Sequence, residues 1–156
     1  MRVGLGVRGA AGEDAHRVRR VRGVLYYTSR EEHQDLTIVV ERFPGPETPG
    51  TRTYVLVHGI GVSSRYFHPL AAELAASGRV YLVDLPGYGS APDPRRDVTI
   101  ADHADVLAGF LRGIGVPDPV IVGHSWGAQV VSMLAVRHPD VPRTVVLLSP
   151  TLEPPA

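Results

Sequence analysis

Apolar residues along this chain follow two alternating patterns, one typical of buried strands and one typical of helices. Continuous apolar runs predict strands that are buried on both faces of a sheet, at 54–57, 80–83, 120–122 and 145–148. Apolar residues that recur every three or four positions predict amphipathic helices at 67–75 and 100–114. Residues 129–136 are apolar almost all round, which predicts a third and deeply buried helix.

The amino-terminal part has a different pattern. Residues 1–16 are rich in glycine and alanine, and we expect them to be poorly ordered. Two β-rich runs follow, at 18–27 and 36–43, with the charged segment SREEHQD between them, and they predict one antiparallel strand pair. Together the patterns predict the α/β class: a mostly parallel sheet with helices on both faces and an antiparallel strand pair at its start.

Composition excludes several classes of function. The 156 residues carry 16 basic and 16 acidic side chains, so there is no charge bias toward nucleic acid or anionic membranes. The chain has no cysteine, which excludes disulfides, thiolate metal sites and a cysteine nucleophile. No apolar run approaches the roughly 18 residues of a membrane span. We expect a cytoplasmic protein that needs no metal or cofactor.

The most informative motif is Gly123-x-Ser125-x-Gly127, which lies between a predicted buried strand and the predicted buried helix. In that position the pattern predicts a nucleophile elbow, a sharp turn that lifts a serine hydroxyl clear of the sheet. The turn forces strained backbone angles on the serine, so the residues two before and two after it must be small. Ser125 is therefore the candidate nucleophile.

Other candidate site residues follow the remaining predicted strands. Since the carboxyl ends of parallel strands meet at one edge, where such sheets bind ligands, we expect these residues to lie near Ser125. We expect Asp84 to shape the loop that it opens, and His68 to be solvated. The candidates for lining the pocket or its loops are His58, Gly59, Gly61 and His124; among them we expect His58 to be structural.

Three motifs in this order, HGIG, DLPGYGSAPD and GHSWGA, resemble the α/β-hydrolase fold family over roughly residues 18 to 150. The resemblance implies that Ser125 is the nucleophile and that the backbone N–H groups of Ile60 and Trp126 form an oxyanion hole. Family members that displace halide or open epoxides use a carboxylate at this point. A serine instead favours acyl transfer, with a small-molecule ester or related compound as substrate.

The resemblance also implies an acid and then a histidine after the nucleophile. His138 and Asp140 follow the helix that begins at the elbow, roughly 20 Å from Ser125 at about 1.5 Å per residue. Glu153 lies just past the last predicted strand and is a candidate acid, but no histidine follows it. We therefore expect residues 17–156 to form a truncated α/β-hydrolase fold that lacks the later strands, the cap and the catalytic histidine. Its last strand would offer an exposed edge for self-association.

Three alternatives remain. The chain could be a non-catalytic ligand-binding or interaction module derived from this fold, or His58 could serve as a substitute base. It could also bind a dinucleotide, through a fingerprint of Gly59, Gly61 and Ser64 with Asp84. Two features disfavour dinucleotide binding: a serine replaces the third glycine, and strands precede the motif. A second match, at Gly4, Gly6 and Gly9, has no strand before it.

Overall fold

The computed structural model describes residues 17–151 of the chain. Within this range lie seven strands: β1 (Arg17–Val21), β2 (Val24–His33), β3 (Leu36–Phe43), β4 (Arg52–Val57), β5 (Gly78–Asp84), β6 (Val120–His124) and β7 (Thr144–Leu148). The same range contains a short 3-10 helix and three α-helices: Ser64–Phe67, then α1 (His68–Leu74), α2 (Ile100–Ile114) and α3 (Trp126–Arg137). All seven strands form one sheet in the order β1-β2-β3-β5-β4-β6-β7.

The parallel part of the sheet brings the carboxyl ends of three strands to one edge. Strand β4 lies between β5 and β6, and Val57 near its end is aligned with Val83 on one side and Gly123 on the other. Helices cover both faces, because Val55 and Val57 pack in a core cluster with α2 and α3, whereas Leu56 packs in a second cluster with α1. The predicted α/β class with a mostly parallel, doubly covered sheet is therefore confirmed.

The amino-terminal extension differs from the prediction, because it contains three antiparallel strands and not one pair. Arg22 and Gly23 both have positive φ, 48° and 79°, and form a two-residue hairpin turn that splits the run 18–27 into β1 and β2. The charged segment predicted as a loop mostly continues β2, which pairs with β3 as far as His33 and Leu36. An antiparallel strand with one face toward solvent accommodates charged side chains, so their presence did not mark the end of the strand.

Helix α2 begins as predicted, at a capping box. The Thr99 hydroxyl accepts the backbone N–H of Asp102 at 3.1 Å, and the Asp102 carboxylate accepts the backbone N–H of Thr99 at 2.8 Å. The hydrogen bond from the Thr99 backbone is the main reason why the pKa of Asp102 falls to about 2. The segment 67–75 is divided between the 3-10 helix and α1. Helix α1 is therefore shorter than predicted and ends at Leu74.

The last strand, β7, is the least covered strand of the parallel sheet. Its apolar residues are between 37% and 40% exposed, and they belong to both faces: Val145, Val146, Leu147 and Leu148. In the central strand β4, by contrast, Val55, Leu56 and Val57 are fully buried. The predicted exposed apolar edge is thus present within residues 17–151. In this part of the chain we find no helix long and apolar enough to span a membrane.

Candidate active site

Ser125 occupies a strained turn between β6 and α3. Its φ of 55° and ψ of −118° lie in a region that residues with a side chain rarely adopt, at a typical cost of about 1–3 kcal/mol. A Cβ atom on Gly123 would lie 2.5 Å from the carbonyl oxygen of Gly127, and one on Gly127 would lie 2.5 Å from the carbonyl oxygen of Val57. Both positions must therefore be glycine, as the strained turn requires.

The loop after β4 approaches this turn closely. A Cβ atom on Gly59 would lie 3.4 Å from the Cβ atom of Ser125, so the two loops are in contact. Within residues 17–151, the backbone N–H groups of Ile60 and Trp126 donate to no protein acceptor. The Ser125 N–H, by contrast, donates to the carbonyl oxygen of Leu148 at 2.9 Å. Two unengaged backbone donors thus lie on adjoining loops beside Ser125, which is the kind of arrangement that an oxyanion hole uses.

His58 ties the loop after β4 to the loop after β5. It is fully buried; its Nδ1 donates to the carbonyl oxygen of Gly59 at 2.7 Å, and its Nε2 accepts the backbone N–H of Leu85 at 3.1 Å. Burial lowers the pKa of His58, which keeps the ring neutral. Both ring nitrogens are occupied, so His58 has the structural role expected of it and no free lone pair with which to act as a substitute base.

Asp84 holds two further loops, and each of its carboxylate oxygens accepts a backbone N–H. Its Oδ1 accepts the backbone N–H of Ser64 at 2.7 Å, and its Oδ2 accepts that of Ser90 at 2.9 Å. The carboxylate is 4% exposed. Because both oxygens accept backbone N–H groups and the residue is buried, Asp84 shapes the loop, as expected, and is poorly placed to receive the ribose hydroxyls of a dinucleotide. Gly61, in the same loop region, turns the chain with a φ of 72°.

His124, the residue before Ser125, is held by a tyrosine that the sequence did not single out. The Tyr66 hydroxyl lies 2.8 Å from Nδ1 of His124 and accepts the backbone N–H of Gly59 at 3.1 Å. Burial raises the pKa of the Tyr66 phenol, so it stays protonated and can donate to the ring. Tyr66 and His124 are 58 residues apart, and no local pattern links them.

Trp126 packs into an aromatic cluster behind the elbow. Its ring centroid lies 5.2 Å from that of Tyr88 and 5.0 Å from that of His103, in an edge-to-face contact with the histidine. His103 is 3% exposed, and within the described residues its Nδ1 has no hydrogen-bond partner. Burial lowers the pKa of His103 to about 4, so the ring is neutral at pH 7. The sequence did not single out His103 either, because a histidine on an amphipathic helix carries no sign of its burial.

The remaining histidines and acids lie elsewhere. His138, at the end of α3, contacts Asp105 of α2 through its Nε2 at 2.6 Å, and Asp140 binds Arg112 at 3.1 Å. His68 was expected to be solvated, but this prediction is wrong. The ring is only 16% exposed and lies 2.5 Å from the Glu41 carboxylate, because the sheet extension provides a partner that the helical pattern alone does not reveal.

Residues 17–151 do not by themselves assemble a complete triad. Within residues 17–151 the Ser125 hydroxyl has no histidine partner, and no group of three His, Asp or Glu side chains could hold a metal ion. Glu153, the candidate acid, lies outside the described residues. The last described residue, Thr151, accepts a hydrogen bond from Nε2 of Gln129 to its carbonyl oxygen at 2.7 Å, so the chain after β7 lies over the first turns of α3.

Comparison with known proteins places this geometry in context. A family model described as the alpha/beta hydrolase fold matches residues 54–156. The 2-(acetamidomethylene)succinate hydrolase of Mesorhizobium japonicum is 34% identical over 91 residues, which are 58% of this chain and 33% of that protein. The pimeloyl-(acyl-carrier protein) methyl ester esterase of Aeromonas hydrophila is 34% identical over 108 residues, 67% of this chain and 38% of that protein. Among solved structures, Cfl2 from Burkholderia cenocepacia superposes with a TM-score of 0.78 at 20% identity, over 91% of this chain and 49% of that one.

The chain belongs to the α/β-hydrolase fold family, since the family model matches about two thirds of its length. It spans about a third of the length of the curated relatives that it matches. The likeness to Cfl2 supports the fold alone.

Proposed function

We propose that this member of the α/β-hydrolase fold family forms the nucleophile-bearing part of a serine hydrolase that cleaves an ester or a related acyl bond of a small molecule. The observation that carries the proposal is the φ of 55° at Ser125, a strained serine turn that two obligatory glycines make possible. Proteins retain strain of this kind chiefly at functional sites. The expected cytoplasmic location belongs to the same proposal.

In the proposed reaction a base removes the proton of the Ser125 hydroxyl as the oxygen attacks the acyl carbon. The carbonyl oxygen becomes an oxyanion, and the backbone N–H groups of Ile60 and Trp126 stabilise it; loss of one such donor typically costs on the order of 3–4 kcal/mol. The leaving group departs with a proton, and water then releases the acyl group from the serine. Within residues 17–151 the Ser125 hydroxyl has no histidine hydrogen-bond partner, and His58 and His138 are both engaged elsewhere, so the proposal takes the base from outside the described residues.

The surface beside Ser125 favours an acyl group with apolar character. Ile60, Val62 and Tyr66 lie on the loop after β4 and the helix that follows it, and they are 62%, 45% and 42% exposed. Exposed apolar side chains in these positions would gain free energy if an apolar acyl group covered them. A serine at position 125, in place of a carboxylate, supports acyl transfer over halide displacement or epoxide opening.

A serine-directed fluorophosphonate probe tests the proposal. The protein should be expressed over the full extent of its reading frame, so that any acid and histidine encoded beyond codon 156 are included. We expect the probe to label this protein, and we expect Ser125→Ala to abolish labelling while Ser132→Ala, a serine on the helix after the elbow, leaves it intact. Equal labelling of the wild type and Ser125→Ala would overturn the proposal.

A non-catalytic interaction module is a second candidate, and the exposure of β7 favours it. An unpaired apolar edge strand readily pairs with another strand, and two copies of β7 could pair across a two-fold axis. This candidate predicts that the 156-residue chain unfolds cooperatively and forms a dimer by sedimentation, and that Val146→Asp returns it to a monomer. A chain that stays monomeric at all concentrations, or that aggregates without a cooperative transition, would argue against it.

A further inference from the structure

We propose that Tyr66 is a positioning residue whose hydroxyl fastens the loop carrying Ile60 to the nucleophile elbow. The inference rests on the proposed function, because the two segments that it joins carry the two proposed oxyanion donors. An oxyanion hole built from separate loops works only if the loops keep a fixed separation, since the donors must converge on a single oxygen. A direct link between the loops is therefore a functional requirement as well as a structural contact.

The atoms involved fix the direction of one of the two hydrogen bonds, and the direction of the other is part of the proposal. The backbone N–H of Gly59 can only donate, so the Tyr66 oxygen accepts it at 3.1 Å. The hydroxyl proton of Tyr66 is then free to point at Nδ1 of His124, 2.8 Å away. In the proposed arrangement Nδ1 accepts this proton, so the His124 ring carries its own proton on Nε2. One oxygen thus bonds both segments at once, next to Ile60 on one side and Ser125 on the other.

The contact is specific to the hydroxyl. The Tyr66 ring already packs on Phe67, with ring centroids 4.3 Å apart, and on His124 at 5.4 Å, so a phenylalanine would keep the apolar contacts. The side chain is 42% exposed, which makes its hydroxyl dispensable for burying the core. Gly59 and Gly61 flank Ile60, and the φ of 72° at Gly61 is one that glycine adopts freely. Because glycine residues make this loop flexible, a hydrogen bond from outside the loop is needed to hold the Ile60 N–H in place.

Substitutions at both partners test the link through kinetics on the protein expressed over its full reading frame. We expect Tyr66→Phe to lower kcat roughly 10-fold, the value of about one hydrogen bond, with KM little changed, because only the transition state carries the oxyanion. His124→Leu should lower kcat similarly, and the double variant should be no slower than either single one. His124→Asn keeps an acceptor near the position of Nδ1 and should lose less activity than His124→Leu. Tyr27→Phe, at a tyrosine of similar exposure on β2, is the control and should not alter the rate.

A readout without turnover separates this inference from the proposed function. In the 156-residue chain, Tyr66→Phe should speed hydrogen exchange at the backbone amide of Gly59. Nitrogen NMR should find the neutral His124 ring protonated on Nε2 in the wild type, and a mixture of the two tautomers in the variant. Unchanged exchange and tautomer in Tyr66→Phe, or a kcat equal to that of the wild type, would overturn the inference. If Ser125→Ala reacts like the wild type, the proposed function fails, while the exchange and tautomer measurements still test the link itself.

Discussion

The two ends of α3 each place a histidine near polar partners, but they are built in different ways. At its beginning, Ser125 sits in a strained turn, and hydrogen bonds of two histidines, a tyrosine and backbone groups join the neighbouring loops. At its end, Arg137 and His138 bind the carboxylate of Asp105 in a partly exposed ion-pair cluster. The carboxylate and histidine that look most like part of a triad are thus at the far end of the helix, roughly 20 Å from the serine.

This difference shows that residue types alone do not identify a reaction centre. The Asp105–His138 pair has the short distance of a catalytic pair, 2.6 Å, yet no strained serine lies beside it. The turn at Ser125 has the strained backbone expected of a nucleophile elbow, yet within residues 17–151 no histidine bonds its hydroxyl. Backbone strain that only glycine neighbours permit is the stronger indication, because a protein pays for it without any gain in stability.

Of the substitutions that test the difference between the two ends of α3, Gly127→Ala should have the largest effect on stability. Its new Cβ atom would lie 2.5 Å from the carbonyl oxygen of Val57, and backbone of a central strand cannot move away cheaply. We expect the free energy of unfolding to fall by about 3 kcal/mol, the upper part of the range for overpacking, as measured by urea denaturation followed by circular dichroism.

Gly113→Ala is the matched control, because it makes the same change in α2. No atom lies within 4 Å of the position that its Cβ would occupy, so the substitution should stabilise the helix by up to about 1 kcal/mol. Equal effects of the two substitutions would show that the close approach at the elbow is not what makes Gly127 necessary.

The sequence predicted the parts of the fold that local patterns encode. Buried parallel strands are continuous apolar runs, and the capping box at Thr99 and Asp102 is a local signal, so both were found. The hairpin at Arg22 and Gly23 was missed, because a two-residue turn interrupts the β-rich run too briefly to be noticed.

The candidate site was predictable only where one segment supplies its geometry. The elbow is such a segment, and its glycines follow directly from the turn. The link between Tyr66 and His124 and the burial of His103 depend on contacts between distant segments. No spacing or periodicity in the sequence records those contacts, and the same holds for the pairing of His68 with Glu41.

As pH falls, the histidines near the Ser125 end of α3 should be the first to reduce the stability of the fold. Burial holds the pKa of His58 below its usual value and that of His103 at about 4, whereas in the unfolded chain both titrate near 6.5. Below about pH 6.5 the unfolded state therefore binds more protons than the folded state, so stability falls as pH decreases; for His103 the loss continues toward pH 4, at a rate of at most about 1.4 kcal/mol per pH unit.

His103→Phe isolates this effect. It replaces the neutral ring with an apolar one that can keep the edge-to-face contact with Trp126, and it removes the group that titrates. Between pH 6.5 and 4 we expect a shallower slope of unfolding free energy against pH. The difference should approach the contribution of one bound proton, about 1.4 kcal/mol per pH unit, in urea titrations at closely spaced pH values. An unchanged slope would mean that the ring is already protonated in the folded protein.

Asp105→Asn should have the smallest effect, at the other end of α3. Hydrogen bonds from the Arg137 guanidinium, and to a lesser degree from His138, lower the pKa of Asp105, so its contribution is present above about pH 3.8 and is lost as pH falls through the lowered pKa. The pairs are partly exposed and screened by salt, so we expect a loss below about 1 kcal/mol that shrinks further in 1 M salt. Fluorophosphonate labelling of Ser125 should be unchanged. A large loss of labelling would instead mean that the ion-pair cluster controls the elbow from the far end of the helix, and the contrast between the two ends would no longer hold.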